Sequence, residues 1–356
     1  MRIKIKNIIT GYAAFLLLFA SCDSSNSNMG VIEERPDEGP IVYLAVTRAQ
    51  QEGVDSFNAD ATDFEDRVHD LAMLVFDSST GEKVCEYYDE NIPFDHKEKT
   101  FTVKMMPGQR DFYFVANMPM APLKAITNRS AMQTYMQQMN VLDEALYSKA
   151  ATDKGFPMSR VYNNQMVTEG GTIMNPRPFL PEGTDSKVKL IRVVAKIEIN
   201  LSGVTDNLKS ISYCHARTQF LLGSTTKTPE SAHKPQTLLT EISSRKYIYY
   251  IPEVIISDPA LVWNQETPNT PVNYFIVETK NGKKFNVPIL SNGDEAQTSY
   301  LKFARGEEET TNPKKPEYSV VRNQHYKMAV TMPKEDFIAI KAEVLPWIIR
   351  EQGVDL

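Results

Sequence analysis

VKLIRVVAKIEINL, residues 188–201, decides the fold class. Ile191, Val193, Ala195, Ile197, Ile199 and Leu201 share one side of an alternation. Arg192, Lys196, Glu198 and Asn200 take the other, with Val194 the exception. A period of two predicts a long, half-buried strand. Working outward, KYIYYIPEVII (246–256), HYKMAVTM (325–332) and FIAIKAEV (337–344) continue the pattern, and VNYFIVETKNGKKFNVPIL (272–290) reads as a hairpin on Asn281-Gly282. Upstream, LAMLVFD (71–77) and KVCEYYD (83–89) read as a second hairpin about SSTG. FTVKMMP (101–107) and RDFYFVANMP (110–119) flank a turn at Pro107-Gly108.

One helix interrupts the strands. In SAMQTYMQQMNVLDEALYSK (130–149), Met132, Tyr135, Met136, Met139, Leu142 and Leu146 recur at spacings of three and four, behind Ser130 as N-cap. Residues 150–185, rich in Gly, Pro and Asn, read as an irregular connection. Many short strands and one modest helix predict a mostly β chain. The expected domains are two β-sandwiches over residues 41–185 and 186–356.

The N-terminal end indicates export. MRIKIKN carries Arg2, Lys4 and Lys6, and GYAAFLLLFA is too short to span a bilayer comfortably. It stops at Ala20, Ser21 and Cys22. The expectation is a signal peptide at 1–21 with lipid attached to the Cys22 thiol, although Phe19 stands where lipoboxes usually carry Leu. An ordinary signal peptide is the alternative. Residues 22–40 are polar and acidic and read as a flexible tether.

Removing residues 1–21 leaves 36 basic against 45 acidic residues, a net charge of −9. That argues against nucleic acid and against a polybasic membrane patch. Cys85 and Cys214 sit in strand-like contexts and read as buried thiols or as one disulfide. Phosphate-loop, HExxH, GxSxG and CxxC patterns are absent. The five histidines, 69, 96, 215, 233 and 325, show no ligand spacing, and the acidic stretch at 55–70 lacks the ligand order of a calcium loop. The chain reads as a non-enzyme that needs no cofactor and no metal.

An ordered series of segments resembles the fimbrillins of Bacteroidales, the FimA-like major fimbrial subunits of type V pili. The series is a lipobox at Cys22, a strand ending at Arg48, LAMLVFD, RDFYFVAN (110–117), a helix and then FPMSR (156–160), IRVVAKIEI (191–199), RNQHYKMAVTM (322–332) and EVLPW (343–347). FPMSR departs from the family's more usual apolar-Pro-Met-Ser-Gly. The resemblance implies two transthyretin-like sandwiches and a lipoprotein precursor at the outer membrane. It also implies cleavage after an arginine by a trypsin-like or arginine-specific protease, then polymerisation by donor-strand exchange.

On that reading IVYLAVTR (41–48) is the removable first strand, cut between Arg48 and Ala49, with Arg67 and then Arg35 as runners-up. Residues 337–356 are the donor tail: Ile338, Ile340, Ala342 and Val344 fall on one face, Pro346 breaks the strand, and Trp347 anchors a second donor segment. The contact is heterologous and therefore propagates a fibre. The expected partners are other copies of the chain, related anchor and tip subunits, and the protease. The chain reads first as a stalk subunit supporting adhesion. An anchor or tip subunit of the same fold, or a surface-binding lipoprotein that does not polymerise, are the alternatives.

Overall fold

The structure, a computed structural model, describes residues 42–49, 65, 67–92, 99–142, 155–181, 187–203, 205–230, 232–243, 245–258, 261–264, 266–268, 271–292, 316–332 and 339–346. The expectations at Cys22, Arg35, Ile338 and Trp347, and the helix expected over 143–149 with Leu146, lie outside these residues.

The chain runs through β1 (Val42–Ala49), β2 (Leu71–Asp77), β3 (Lys83–Asp89), β4 (Lys99–Met105) and β5 (Gly108–Ala116). Helices α1 (Met120–Lys124) and α2 (Arg129–Met136) come next, then β6 (Asn140–Val141), β7 (Met158–Val167), β8 (Arg177–Pro178), β9 (Lys187–Lys189) and β10 (Ile191–Arg192). These build a first sandwich of one sheet ordered β4-β1-β8, with β9 also on β1, against another ordered β10-β7-β5-β2-β3.

The remaining strands are β11 (Val194–Gly203), β12 (Leu208–Arg217), β13 (Gln219–Phe220), β14 (His233–Leu238), β15 (Glu241–Ser243), β16 (Lys246–Pro252), β17 (Tyr274–Thr279), β18 (Lys284–Pro288), β19 (Gln324–Met332) and β20 (Ala339–Pro346). They form a second sandwich with sheets ordered β15-β16-β11-β19-β20 and β14-β12-β17-β18. A short ladder between β6 and β13 ties the two halves.

LAMLVFD is apolar from Leu71 to Phe76 because both its faces are covered. Leu71, Met73 and Val75 fill the first sandwich. Ala72, Leu74 and Phe76 face the other way, into a core shared with α2 and the second sandwich. Phe112 and Phe114 of β5 join the first core, and Tyr113 and Val115 the shared one.

Several features differ from the sequence expectations. Two short helices replace one, and α2 ends at Met136 with Asn128, not Ser130, as its N-cap; the Asn128 side chain accepts from the Ala131 amide at 2.9 Å. The chain then turns into β6, so Leu142 is buried beside the β6–β13 ladder and not on a helix face. Within 150–185, β7 is an inner strand of its sheet; its polar MSRVYNNQMV and the left-handed Asn164 (φ 53°) hid it. FTVKMMP and RDFYFVANMP join opposite sheets and do not pair with each other.

The stretch 188–201 is divided between the two sandwiches. Residues 187–192 pair with β1 and β7 of the first, and the second begins at Val194. Lys196 and Glu198 alternate as expected, yet both are buried. Asn281-Gly282 does turn the β17–β18 hairpin, with Gly282 at φ 86°. Cys214 is a buried free thiol, so it is not joined to Cys85.

Candidate functional site

The first sandwich carries an unusual strand. β1 lies inside its sheet, antiparallel to β4 from Val42 opposite Met105 to Arg48 opposite Lys99. On its other side it runs parallel to β8 and then β9. Val42 and Leu44 point inward and are buried. They rest in an apolar bed that includes Phe101, Val103 and Met105 of β4, Phe112 and Phe114 of the facing sheet, and Phe179. Phe179 packs on Phe112 at a ring-centre distance of 4.4 Å. Val42 and Leu44 together contribute about 3–6 kcal/mol of burial, and each ladder hydrogen bond adds roughly 1 kcal/mol. Removing β1 exposes a trench with unpaired backbone on both banks, a template for an incoming strand.

The two arginines proposed for cleavage sit in different surroundings. Arg48 and Ala49 are the last two residues of β1, opposite Val188 and Lys189 of β9. The bond between them lies where the strand ends. Arg67 lies just before β2. Its carbonyl accepts from Asn117 Nδ2 at 2.7 Å. A Cβ on Gly155 would come within 1.9 Å of that oxygen, so the backbone at 155 is pressed directly against it. A protease needs an extended, accessible chain, and Arg67 is clamped.

At the other end, β20 forms the edge of a sheet in its own sandwich. Ile340 pairs with Val330, Ala342 with Met328 and Val344 with Tyr326. Ala342 is fully buried in the shared core. The segment expected to enter a neighbour is therefore paired with this chain's own β19.

A polar cluster that the alternation pattern did not reveal joins the sandwiches. Glu65, between β1 and β2, is fully buried. Its carboxylate meets Lys196 Nζ at 3.0 Å and accepts from the Tyr250 hydroxyl. Its carbonyl accepts from Arg192 Nε at 2.8 Å, while Arg192 Nη1 donates to Asn323 Oδ1 at 2.9 Å. Alternation made Lys196 look solvent-facing, and no local signal marked Glu65 as its partner. Nearby, Glu198 meets His325 Nε2 and Lys246 Nζ at 3.2 and 3.3 Å. Burial pushes the Glu198 pKa up, but bonds from His325 and Asn200 and the Lys246 charge outweigh it and hold the carboxyl below its usual range. Burial dominates at His325 and holds the imidazole below its ordinary pKa.

Among the described residues no group of three or more His, Cys, Asp or Glu side chains is placed to hold a metal. No described helix is long and apolar enough to cross a membrane. The structure brings two of the scattered histidines together: the rings of His215 and His233 lie 5.3 Å apart.

Comparison with known proteins agrees with this architecture. Residues 42–207 match the family described as the major fimbrial subunit protein, FimA. The minor fimbrium tip subunit Mfa3 of Porphyromonas gingivalis is 40% identical over 348 residues, covering 95% of this chain and 75% of that protein. The structure of the C-terminally truncated tip protein Mfa3 superposes with a TM-score of 0.75, covering 86% of this chain and all of that one. A fimbrillin, FimA, from P. gingivalis W83 shares the fold at 13% identity and a TM-score of 0.52, over 87% of this chain and 99% of that one.

Proposed function

The chain belongs to the Bacteroidales fimbrillin family, structural and non-enzymatic subunits of cell-surface fimbriae, and from that premise we propose that it caps a fimbrium as its tip subunit. The observation that carries the reading is the 40% identity to a tip subunit over 95% of the chain. This reverses the order of the sequence expectation, which put a stalk subunit first. A tip needs one joint only: it accepts a strand from the subunit below and has no subunit above to receive its own.

The geometry fits that asymmetry. β1 offers a removable strand over an apolar trench. β20 is engaged in its own sheet. The proposed sequence of events is export as a lipoprotein through Cys22, cleavage between Arg48 and Ala49 by a trypsin-like or arginine-specific protease, departure of β1 with the lipid, and entry of a stalk subunit's donor strand beside β4, β8 and β9. The partners are then a stalk subunit, the rest of the fimbrium and the protease, with the outer membrane involved only before cleavage.

The second reading keeps the stalk role. There Ile338, Ile340, Ala342, Val344 and Trp347 leave β19 and enter the next copy's trench. Limiting trypsin on the purified chain separates the two. The tip reading expects a new N-terminus at Ala49, no self-ladder on an unboiled gel, and a one-to-one adduct when a stalk subunit from the same fimbrium is added. Self-ladders that vanish on deleting residues 337–356 would overturn it in favour of the stalk.

A further inference from the structure

His215 interrupts the ladder between β12 and β14. Cys214 pairs with Gln236 and Ala216 with Lys234, and the register places His215 between them opposite Pro235, which has no N–H to give the ladder. The His215 backbone is left-handed, at φ 61°. A non-glycine residue in that region is held there by its surroundings, and such residues gather at functional sites. Three contacts hold this one. Tyr274 packs on the ring at 5.3 Å and 83°, the His233 ring lies 5.3 Å away at 64°, and Nδ1 faces the Val272 carbonyl at 3.2 Å.

The carbonyl decides the tautomer. It can only accept, so Nδ1 carries the proton and Nε2 presents a bare lone pair. A carbonyl behind the far nitrogen is also the arrangement that orients and strengthens a metal-ligating imidazole.

The ring separation leaves room for one shared ion. An imidazole bound at about 2.0–2.1 Å places its ring centre roughly 3.2 Å from the metal, and a tetrahedral angle then sets two ring centres about 5.2 Å apart. The observed 5.3 Å matches. Both rings border a cleft of about 700 Å³ whose lining also includes Glu230, Asp258, Arg217 and Lys227. The cleft leaves room for water or a partner's donor groups to complete the coordination.

We propose that His215 and His233 form a two-imidazole site for a late first-row divalent metal ion, with Zn²⁺ and Cu²⁺ the fitting species. The site stands in the second sandwich, apart from the strand-exchange trench, and does not depend on the tip assignment.

Titration of Zn²⁺ into the tag-free full chain, monitored by calorimetry and by NMR of the histidine rings, tests it. The expectation is one ion per chain, with the His215 and His233 ring signals moving together. His233→Ala changes an exposed residue and should weaken binding at least about tenfold, no less than the loss of a supporting contact costs elsewhere. His215→Asn, which tolerates the left-handed backbone, should do the same, and His69→Gln should change nothing. Should His215→Asn not fold, His233→Ala alone decides. Undiminished binding in His233→Ala, or no binding by the unmodified chain, overturns the proposal.

Discussion

Arg48 and Arg67 carry the same side chain, and their backbones separate them. The Arg67 carbonyl is gripped by Asn117 and backed by Gly155, whereas Arg48 sits one residue from the end of a strand. Arg48→Gln is therefore expected to block processing by an arginine-specific protease without shifting the cut to Arg67. N-terminal sequencing after limited digestion checks this, and a new N-terminus at Val68 would count against it. The Glu65–Lys196 pair makes a sharper energetic prediction. Glu65→Ala strands a buried ammonium and should cost about 3–5 kcal/mol, whereas Glu65→Leu with Lys196→Met removes both charges and should cost much less. Denaturant unfolding of the single and double variants measures the difference. His325 sets a pH dependence. Its folded pKa lies below the unfolded value of about 6.5, so the unfolded chain binds the extra proton. The stabilisation is complete above that pH and declines as pH falls; Glu198, also depressed, adds a further decline below about pH 4.3. His325→Gln should flatten the loss between pH 7 and 5 in thermal melts, and an unchanged slope would assign it elsewhere.

At the scale of the element, β1 is both an inner strand and, on the proposed reading, a disposable one. The combination makes a test that a permanent strand would fail. Leu44→Asp puts a charge into the bed beneath β1 and should lower the melting temperature of the uncleaved chain. After cleavage at Arg48 and strand replacement, the variant and the unaltered protein should melt together. A difference that persists would mean that β1 stays. The strand was legible in IVYLAVTR because β-branched and aromatic residues crowd into a short stretch. The alternation did not say which face was buried; Val42 and Leu44 answer that only through the strands beside them. β7 was not legible at all. Its polar residues are tolerated because its neighbours supply the ladder on both sides, and the left-handed Asn164 breaks its period. Over residues 137–142, the described part of the expected helix beyond α2, the expectation failed for the opposite reason: a helical period continued in sequence where β6 had to pair with β13.

Across the whole molecule, the segments that made the chain recognisable converge on the seam between the sandwiches. Phe156 and Met158 of FPMSR are fully buried, and Ser159 Oγ donates to the Leu222 carbonyl at 2.7 Å. Asn117, closing RDFYFVAN, donates to the Phe156 carbonyl, and Arg322 of RNQHYKM reaches the Leu221, Leu222 and Gly223 carbonyls. A shared core runs beneath them. The two sandwiches should therefore unfold in one calorimetric transition. Phe156→Ala, at a cost of about 3–5 kcal/mol, should lower that transition or split it in two. Two separate transitions in the unaltered protein would show that the seam does not couple them.

The amino-acid sequence by itself determined the β class, the two sandwiches, the β2–β3 and β17–β18 hairpins and the family, because alternation, turn chemistry and segment order are local properties of the chain. Only the tertiary structure decided that β1 is flanked on both sides, that β20 pairs with its own β19, that Lys196 finds Glu65 across 131 positions, and that two histidines meet. Those outcomes depend on which distant surfaces exclude water together. A period of two gives a residue its side of the strand, but not what will cover it.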